Sequence, residues 1–237
     1  MINNAGSVKT PVPDIMEDWN NKLTTAAEKG DIEALKLSLQ NGAEIDYQNV
    51  GGWTALMLAA REGYLEICRL LIDTGCKIDI TGVNGWTALM SAAMYGRLEI
   101  CKLLIDTGCK IDITSGGGET ALMLAAMIGH LEICKLLIDT GCKIDITEKG
   151  GGETALMLAA MTGHLEICKL LIDTGCKIDI TEKMDGYTAL HLAAQYGHLQ
   201  TTRCLVEQGG ASPLVKSHKE QLNATKWAKH VADIIKR

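Results

Sequence analysis

The chain repeats one motif at intervals of 33 or 34 residues, and this periodicity limits it to a small set of folds. The tripeptide Thr-Ala-Leu occurs five times in 237 residues, beginning at Thr54, Thr87, Thr120, Thr154 and Thr188. The spacings are 33, 33, 34 and 34 residues, and a pair of alanines follows each copy. A weaker copy at Ala26-Ala27 lies one period earlier. Such periods are typical of arrays in which one small unit packs against its neighbours.

One period predicts two short helices and a connecting finger. Thr54 is a good N-cap, since its hydroxyl can accept a hydrogen bond from the first helical turn. A helix is expected over Ala55 to Arg61, ended by Gly63, because glycine tolerates the left-handed conformation. The apolar positions predict a second helix from about Leu65 to Asp73. The segment from Cys76 to Thr81 is expected to be extended.

Helices of this length are marginal alone in water, so neighbouring units must cover their apolar faces. The sequence therefore predicts an all-α solenoid of stacked helix-turn-helix units. We expect a polar N-terminal tail over residues 1–16 and six repeats over residues 17–217, the first of them a capping repeat. Residues 218–237 are expected to form a truncated helical cap that buries Trp227 against the sixth repeat.

The motif resembles the ankyrin repeat. The residues that carry the resemblance in one unit are Gly52-Trp53-Thr54-Ala55-Leu56, Ala59-Ala60, Gly63, Leu65-Glu66-Ile67, Leu70-Leu71, Gly75-Cys76 and Ile78-Asp79. The family pattern has Pro after the Thr, where this chain has Ala, and a His that survives only as His191. Methionines stand at the other His positions, and we expect them to be buried: Met57, Met90, Met123 and Met157.

The charge balance disfavours two classes of partner. The chain has 23 Lys and Arg against 29 Asp and Glu, a formal charge of −6. Nucleic-acid binding normally requires a basic surface, and so does attachment to an anionic membrane. No apolar run reaches the roughly 20 residues of a membrane helix. The expectation is an intracellular, cytoplasmic protein with no nucleic-acid or membrane partner.

The nine cysteines are expected to be small buried apolar residues. Eight form Cys-x7-Cys pairs, one per repeat, a spacing wider than that of usual zinc sites. This usage indicates a reducing compartment. A metal pair at His130 and Cys134 is less favoured than a structural role for that His. A thiol-based redox or metal-responsive role remains an alternative.

No arrangement of residues indicates catalysis. The recurring Glu66, Glu99, Glu132 and Glu166 each precede a basic residue by three positions, which is typical of a solvated helix face. The clusters Gly116-Gly117-Gly118 and Gly150-Gly151-Gly152 lack the Lys-Ser/Thr ending of a phosphate-binding loop. Copying one unit does not build an asymmetric catalytic site. We expect neither an enzyme nor a cofactor.

The resemblance implies a protein partner, bound on a concave surface of finger tips and first helices. Carried over to this sequence, the partner-binding residues are Trp53, Arg61, Trp86, Met94, Tyr95, Glu119, Met127, Ile128, Glu153, Met161, Tyr187, Gln195 and Tyr196. Several are strongly apolar for a solvated face, which marks interaction sites. The alternative is that some of them fold under the fingers and complete the core.

The preferred hypothesis is thus a non-catalytic scaffold that binds another protein through a rigid, pre-organised surface. A second hypothesis is a self-associating structural element, although a monomer is expected. A third is the thiol-based sensor.

Overall fold

The computed structural model describes residues 18–215, Ser217 and Asp233, and this part of the chain contains twelve α-helices in six consecutive pairs. The first helices of the pairs are α1 (Trp19–Lys29), α3 (Ala55–Glu62), α5 (Ala88–Met94), α7 (Ala121–Ile128), α9 (Ala155–Thr162) and α11 (Ala189–Gln195). The second helices are α2 (Ile32–Gln40), α4 (Leu65–Asp73), α6 (Leu98–Asp106), α8 (Leu131–Asp139), α10 (Leu165–Asp173) and α12 (Leu199–Glu207).

The expected caps define the first helices. In α3 the Thr54 hydroxyl accepts a hydrogen bond from the Met57 N–H at 3.3 Å, and the helix ends at Gly63 with a φ of 96°. This helix runs one residue beyond the predicted Arg61, to Glu62. The predicted bounds of α4 are confirmed. The threonine cap therefore recurs without the family proline, because the hydroxyl satisfies the N–H directly.

The core runs through the whole stack. The alanine pairs are buried, for example Ala59 and Ala60 at 0% exposure. The methionines at the family histidine position are all buried, which confirms their assignment to the core: Met57, Met90, Met123 and Met157. Because methionine is unbranched and flexible, it can fill the irregular space under each finger.

The two layers of helices in the solenoid pack to different extents along the stack. Each first helix packs on the next more extensively than each second helix does. Small alanine side chains allow the first helices to approach closely, whereas the second helices carry larger Leu and Ile side chains. Because closer packing shortens the inner side of a stack, we assign the concave side to the first helices, as the resemblance to ankyrin repeats implies.

Each repeat is also tied to the next by one side chain of the finger. The Asp46 carboxylate accepts a hydrogen bond from the Lys77 N–H at 2.9 Å. The same bond recurs, with similar lengths, at Asp79–Lys110, Asp112–Lys143, Asp145–Lys177 and Asp179–Ser212. These bonds fix the register of successive fingers.

The fingers differ in one detail from the expected extended segment. Within residues 76–81 a turn occurs at Ile78-Asp79, and the described residues contain no β-strand. The turn places the Asp79 carboxylate beside the backbone of the next repeat, where it accepts from Lys110.

The predicted tail over residues 1–16 lies outside the described residues. So do the Trp227 contact and all of the predicted cap except Asp233, which is helical. The domain boundaries therefore stay predictions.

Candidate functional site

The residue before each threonine cap is held in a row along the concave side. We call this set the tip row, and it consists of Trp53, Trp86, Glu119, Glu153 and Tyr187. A glycine with positive φ precedes each member, at Gly52, Gly85, Gly118, Gly152 and Gly186. Since every member adjoins the start of a first helix, the spacing of those helices sets the spacing of the row, about 8–10 Å per repeat.

Backbone hydrogen bonds between neighbouring fingers fix this row. The Gly116 N–H donates to the Asn84 carbonyl at 2.7 Å, and the Lys149 N–H donates to the Gly117 carbonyl at 2.6 Å. The glycine at position 85 is required by the close approach, because a Cβ there would lie 2.6 Å from the Gly116 nitrogen. The tip row is therefore rigid rather than a set of independent loops.

The N-terminal end of the tip row is aromatic. The ring centroids of Trp53 and Trp86 are 6.2 Å apart, with planes tilted by 55°. The Arg61 guanidinium lies 5.6 Å from the Trp53 ring centroid. This contact shows that a tip residue and the end of a first helix share one surface. Both tryptophans are half-buried and pack against the core, so they are partly structural.

The positive charge of Arg61 is already neutralised. Its guanidinium donates to Glu62 at 2.6 Å and to Glu28 of the preceding repeat at 2.7 Å. Burial lowers the pKa of this guanidinium, but the two carboxylates more than offset the effect and raise it above its usual value. The aromatic end consequently carries no unpaired cation at this position.

The ends of the first helices supply the second part of the surface. Tyr95, Ile128 and Tyr196 are 50%, 41% and 56% exposed, respectively. Gln195 is also exposed. The three methionines of the predicted set are half-buried against the core, so they offer only part of each side chain to a ligand: Met94, Met127 and Met161.

Turn residues hold these helix ends in place. The Arg97 Nε donates to the Arg61 carbonyl at 3.0 Å, and the His130 Nε2 lies 3.2 Å from the Met94 carbonyl oxygen. His198 makes the equivalent contact with Met161 at 3.0 Å. His130 therefore has the expected structural role, because its contact with the Met94 carbonyl holds the end of a first helix in place.

The two tip-row positions that follow the tryptophans are acidic, Glu119 and Glu153. The Glu119 carboxylate accepts a hydrogen bond from the Ser115 hydroxyl. The half-buried Glu153 carboxylate forms no hydrogen bond or ion pair with any described residue. Burial, followed by the nearby carboxylates of Glu148 and Glu182, raises the pKa of Glu153 above its usual range. An unpaired, partly desolvated carboxylate is well suited to a cationic ligand.

Two buried carboxylates, neither of them predicted from the sequence, hold the fingers next to these acidic positions. Glu182 accepts from the N–H groups of Met184, Asp185 and Tyr187 at 2.5, 2.6 and 2.9 Å. Burial raises its pKa, but these three donors outweigh that effect and lower it. Glu148 accepts from Gly150 at 2.6 Å and from Gly152. The sequence signal that could have indicated these two residues is a glutamate at the start of a glycine-containing loop.

Tyr187 ends the row. Its ring stacks on that of His191, with centroids 5.5 Å apart and planes 17° apart. The His191 Nδ1 lies 2.8 Å from the Thr188 hydroxyl. The family histidine thus fixes both the helix cap and the tip residue.

Comparison with known families agrees with this architecture. The family described as ankyrin repeats in three copies matches residues 23–115 and 108–183, and the single ankyrin repeat matches residues 185–218. The chain belongs to the ankyrin-repeat family. No curated protein matches it. Ankyrin repeats generally mediate protein–protein interaction.

The ankyrin cysteines are in environments that suppress thiol chemistry. All nine are free, and eight of them are buried. Burial raises the pKa of Cys68 and Cys101 to about 12, so both are neutral thiols at physiological pH. Since the thiolate is the reactive form, these residues are poor nucleophiles and metal ligands.

The described residues contain neither a cluster of metal-ligating side chains nor a helix that could cross a membrane. Across residues 18–215, no three ligating side chains converge in a way that could hold a metal ion. Within the same part of the chain, no helix is both long enough and apolar enough to cross a membrane.

Proposed function

We propose that the chain is a non-catalytic binding protein that docks a partner protein on its concave surface. The binding residues are the tip row together with the exposed ends of the first helices. The single observation that carries this proposal is the row of exposed side chains at Tyr95, Ile128 and Tyr196 on the concave side. Exposed aromatic and aliphatic side chains on a rigid surface are typical of binding hot spots.

The rigidity of the surface supports the same function. Hydrogen bonds between neighbouring fingers and the threonine caps hold the tip row before any ligand arrives. A surface fixed in advance loses little conformational entropy on binding, so more of the contact energy appears as affinity. The free, buried cysteines also suit a reducing intracellular compartment, which we propose as its location.

The test is affinity capture from a lysate of the native cells, comparing the wild-type chain with a variant carrying Trp53→Ala, Trp86→Ala and Tyr95→Ala. Partners that bind the wild type should be lost from this variant. A second variant, Tyr95→Ser with Ile128→Ser, changes only exposed side chains and guards against loss of folding at the half-buried tryptophans.

A matched control changes three exposed residues of the second helices, with Glu66→Ala, Glu99→Ala and Glu132→Ala. It should retain every partner, and all variants must unfold at temperatures close to that of the wild type. If both concave variants captured the wild-type partners undiminished, the concave surface would be the wrong assignment.

A further inference from the structure

We propose that the concave surface recognises a polypeptide segment in which an apolar residue and a Lys or Arg lie a fixed distance apart. The apolar residues would pack on the Trp53–Trp86 end of the tip row, and the cationic residues would pair with Glu119 and Glu153. This inference rests on the proposed function, and it specifies the chemistry of the partner.

The charge distribution along the row is the first argument. The basic side chain beside Trp53, that of Arg61, is neutralised by two carboxylates. At the other end, Lys183 directs its ammonium to the Lys149 carbonyl at 2.9 Å and not to a carboxylate. Glu153 therefore stays unpaired among the described residues, and a cation from a partner would complete its environment.

The environment of Glu153 strengthens this argument. Burial and the carboxylates of Glu148 and Glu182 make the ionised form of Glu153 unfavourable, which is why its pKa is raised. Glu148 and Glu182 cannot relax this repulsion by turning away, because backbone N–H groups of their fingers hold them. A guanidinium or ammonium group placed here removes repulsion as well as adding attraction.

The aromatic pair provides a second contact site on this surface, at a defined distance from the carboxylates. The two tryptophans are 6.2 Å apart and partly exposed, so they can hold one aliphatic or aromatic side chain. The midpoint of this pair lies two repeats from the midpoint of Glu119 and Glu153. At 8–10 Å per repeat, the separation is about 16–20 Å. An extended peptide covers this distance with about five or six residues.

The experiment is selection from a random peptide library displayed on phage, using the full chain as the target. Peptides enriched on the wild type should combine an aromatic or aliphatic residue with Lys or Arg about five or six positions away. Synthetic versions of the enriched peptides, labelled for fluorescence anisotropy, should bind more weakly as salt is increased, because screening reduces the ionic contribution.

The paired variant is Glu119→Gln with Glu153→Gln, which removes two charges and keeps the shape of the side chains. Its affinity for the enriched peptides should fall at least tenfold, the order expected for loss of one charge-assisted contact. The matched control is Glu66→Gln with Glu132→Gln, which makes the same charge change on exposed second helices and should bind as the wild type does.

Three results would overturn the inference: no enriched peptide, enriched peptides without basic residues, or equal affinity for the Gln variant and the wild type. The proposed function fails separately. If partner capture depends on Trp53, Trp86 and Tyr95 but not on Glu119 and Glu153, the concave surface binds a partner of different chemistry. If partner capture depends neither on the aromatic residues nor on the two glutamates, the proposed function and this inference are both wrong.

Discussion

Two glycines with the same backbone conformation allow the contribution of the finger-to-finger contact to be measured. Gly85 and Gly108 both have positive φ, at 74° and 87°. A Cβ at Gly108 meets nothing within 4 Å, whereas one at Gly85 would lie 2.6 Å from the Gly116 nitrogen. Substitution by Ala therefore imposes the left-handed penalty at both sites, about 1–2 kcal/mol. Only Gly85→Ala also displaces the next finger.

The additional loss for Gly85→Ala follows from that displacement. Moving Gly116 away breaks its 2.7 Å hydrogen bond to the Asn84 carbonyl. A bond of this kind contributes about 0.5–1.5 kcal/mol. The free energy of unfolding should thus fall by about 1–2 kcal/mol for Gly108→Ala and by about 1.5–3.5 kcal/mol for Gly85→Ala.

Urea denaturation followed by circular dichroism measures both values, with Gly108→Ala as the internal control for backbone strain. Because the displaced finger carries Glu119, Gly85→Ala should also weaken peptide binding at temperatures where it remains folded. Equal losses of stability in the two variants would refute the reasoning, since they would show that the fingers do not support one another.

Three further predictions follow from individual side chains. A thiol reagent added at pH 8 should label Cys101 only after denaturation, since burial raises the pKa of this thiol to about 12. Rapid labelling of Cys101 in the native chain would contradict this prediction and favour the sensor hypothesis. His191→Met should lower the free energy of unfolding by about 1 kcal/mol in urea titrations, because the contact with the Thr188 hydroxyl is lost; an unchanged value would show that the contact is neutral. Glu182→Gln should destabilise the chain at neutral pH, since a carboxylate whose pKa is lowered by folding contributes stability above its unfolded pKa. That difference should shrink in thermal melts as the pH falls through the folded pKa, and a constant difference would rule out the ionic contribution.

The repeated parts of the molecule could be predicted from sequence because their signals are local. The threonine cap, the alanine pair and the glycine stop recur in every full unit, and they define first helices such as Ala55–Glu62 without reference to the rest of the chain. The same holds for the ion pairs on the second helices, such as Glu99 with Lys102 at 2.7 Å. Periodicity and capping suffice for such features.

The electrostatics of the fingers could not be predicted in this way. Glu148 and Glu153 lie five residues apart in one loop, yet the first is buried and hydrogen-bonded while the second is unpaired. Which carboxylate turns inward depends on the path of the loop backbone and on the neighbouring finger, and neither leaves a periodic signal. The repeat pattern accordingly predicted that Glu153 lies on the surface, but it contained no signal for the inward orientation of Glu148 and Glu182.

We infer from this difference between Glu148 and Glu153 that the Glu153 side chain serves binding and lowers the stability of the unbound chain. Folding raises its pKa, so the ionised side chain opposes folding above that pKa, and the effect disappears as the pH falls below the unfolded value. Glu153→Gln should therefore stabilise the free chain at neutral pH by a few tenths of a kcal/mol, a small effect because solvent screens the exposed part of the half-buried side chain. The same substitution should weaken binding of a basic peptide. A residue kept only for structure would not show these opposite effects, so thermal melts and anisotropy on this one variant separate the two roles.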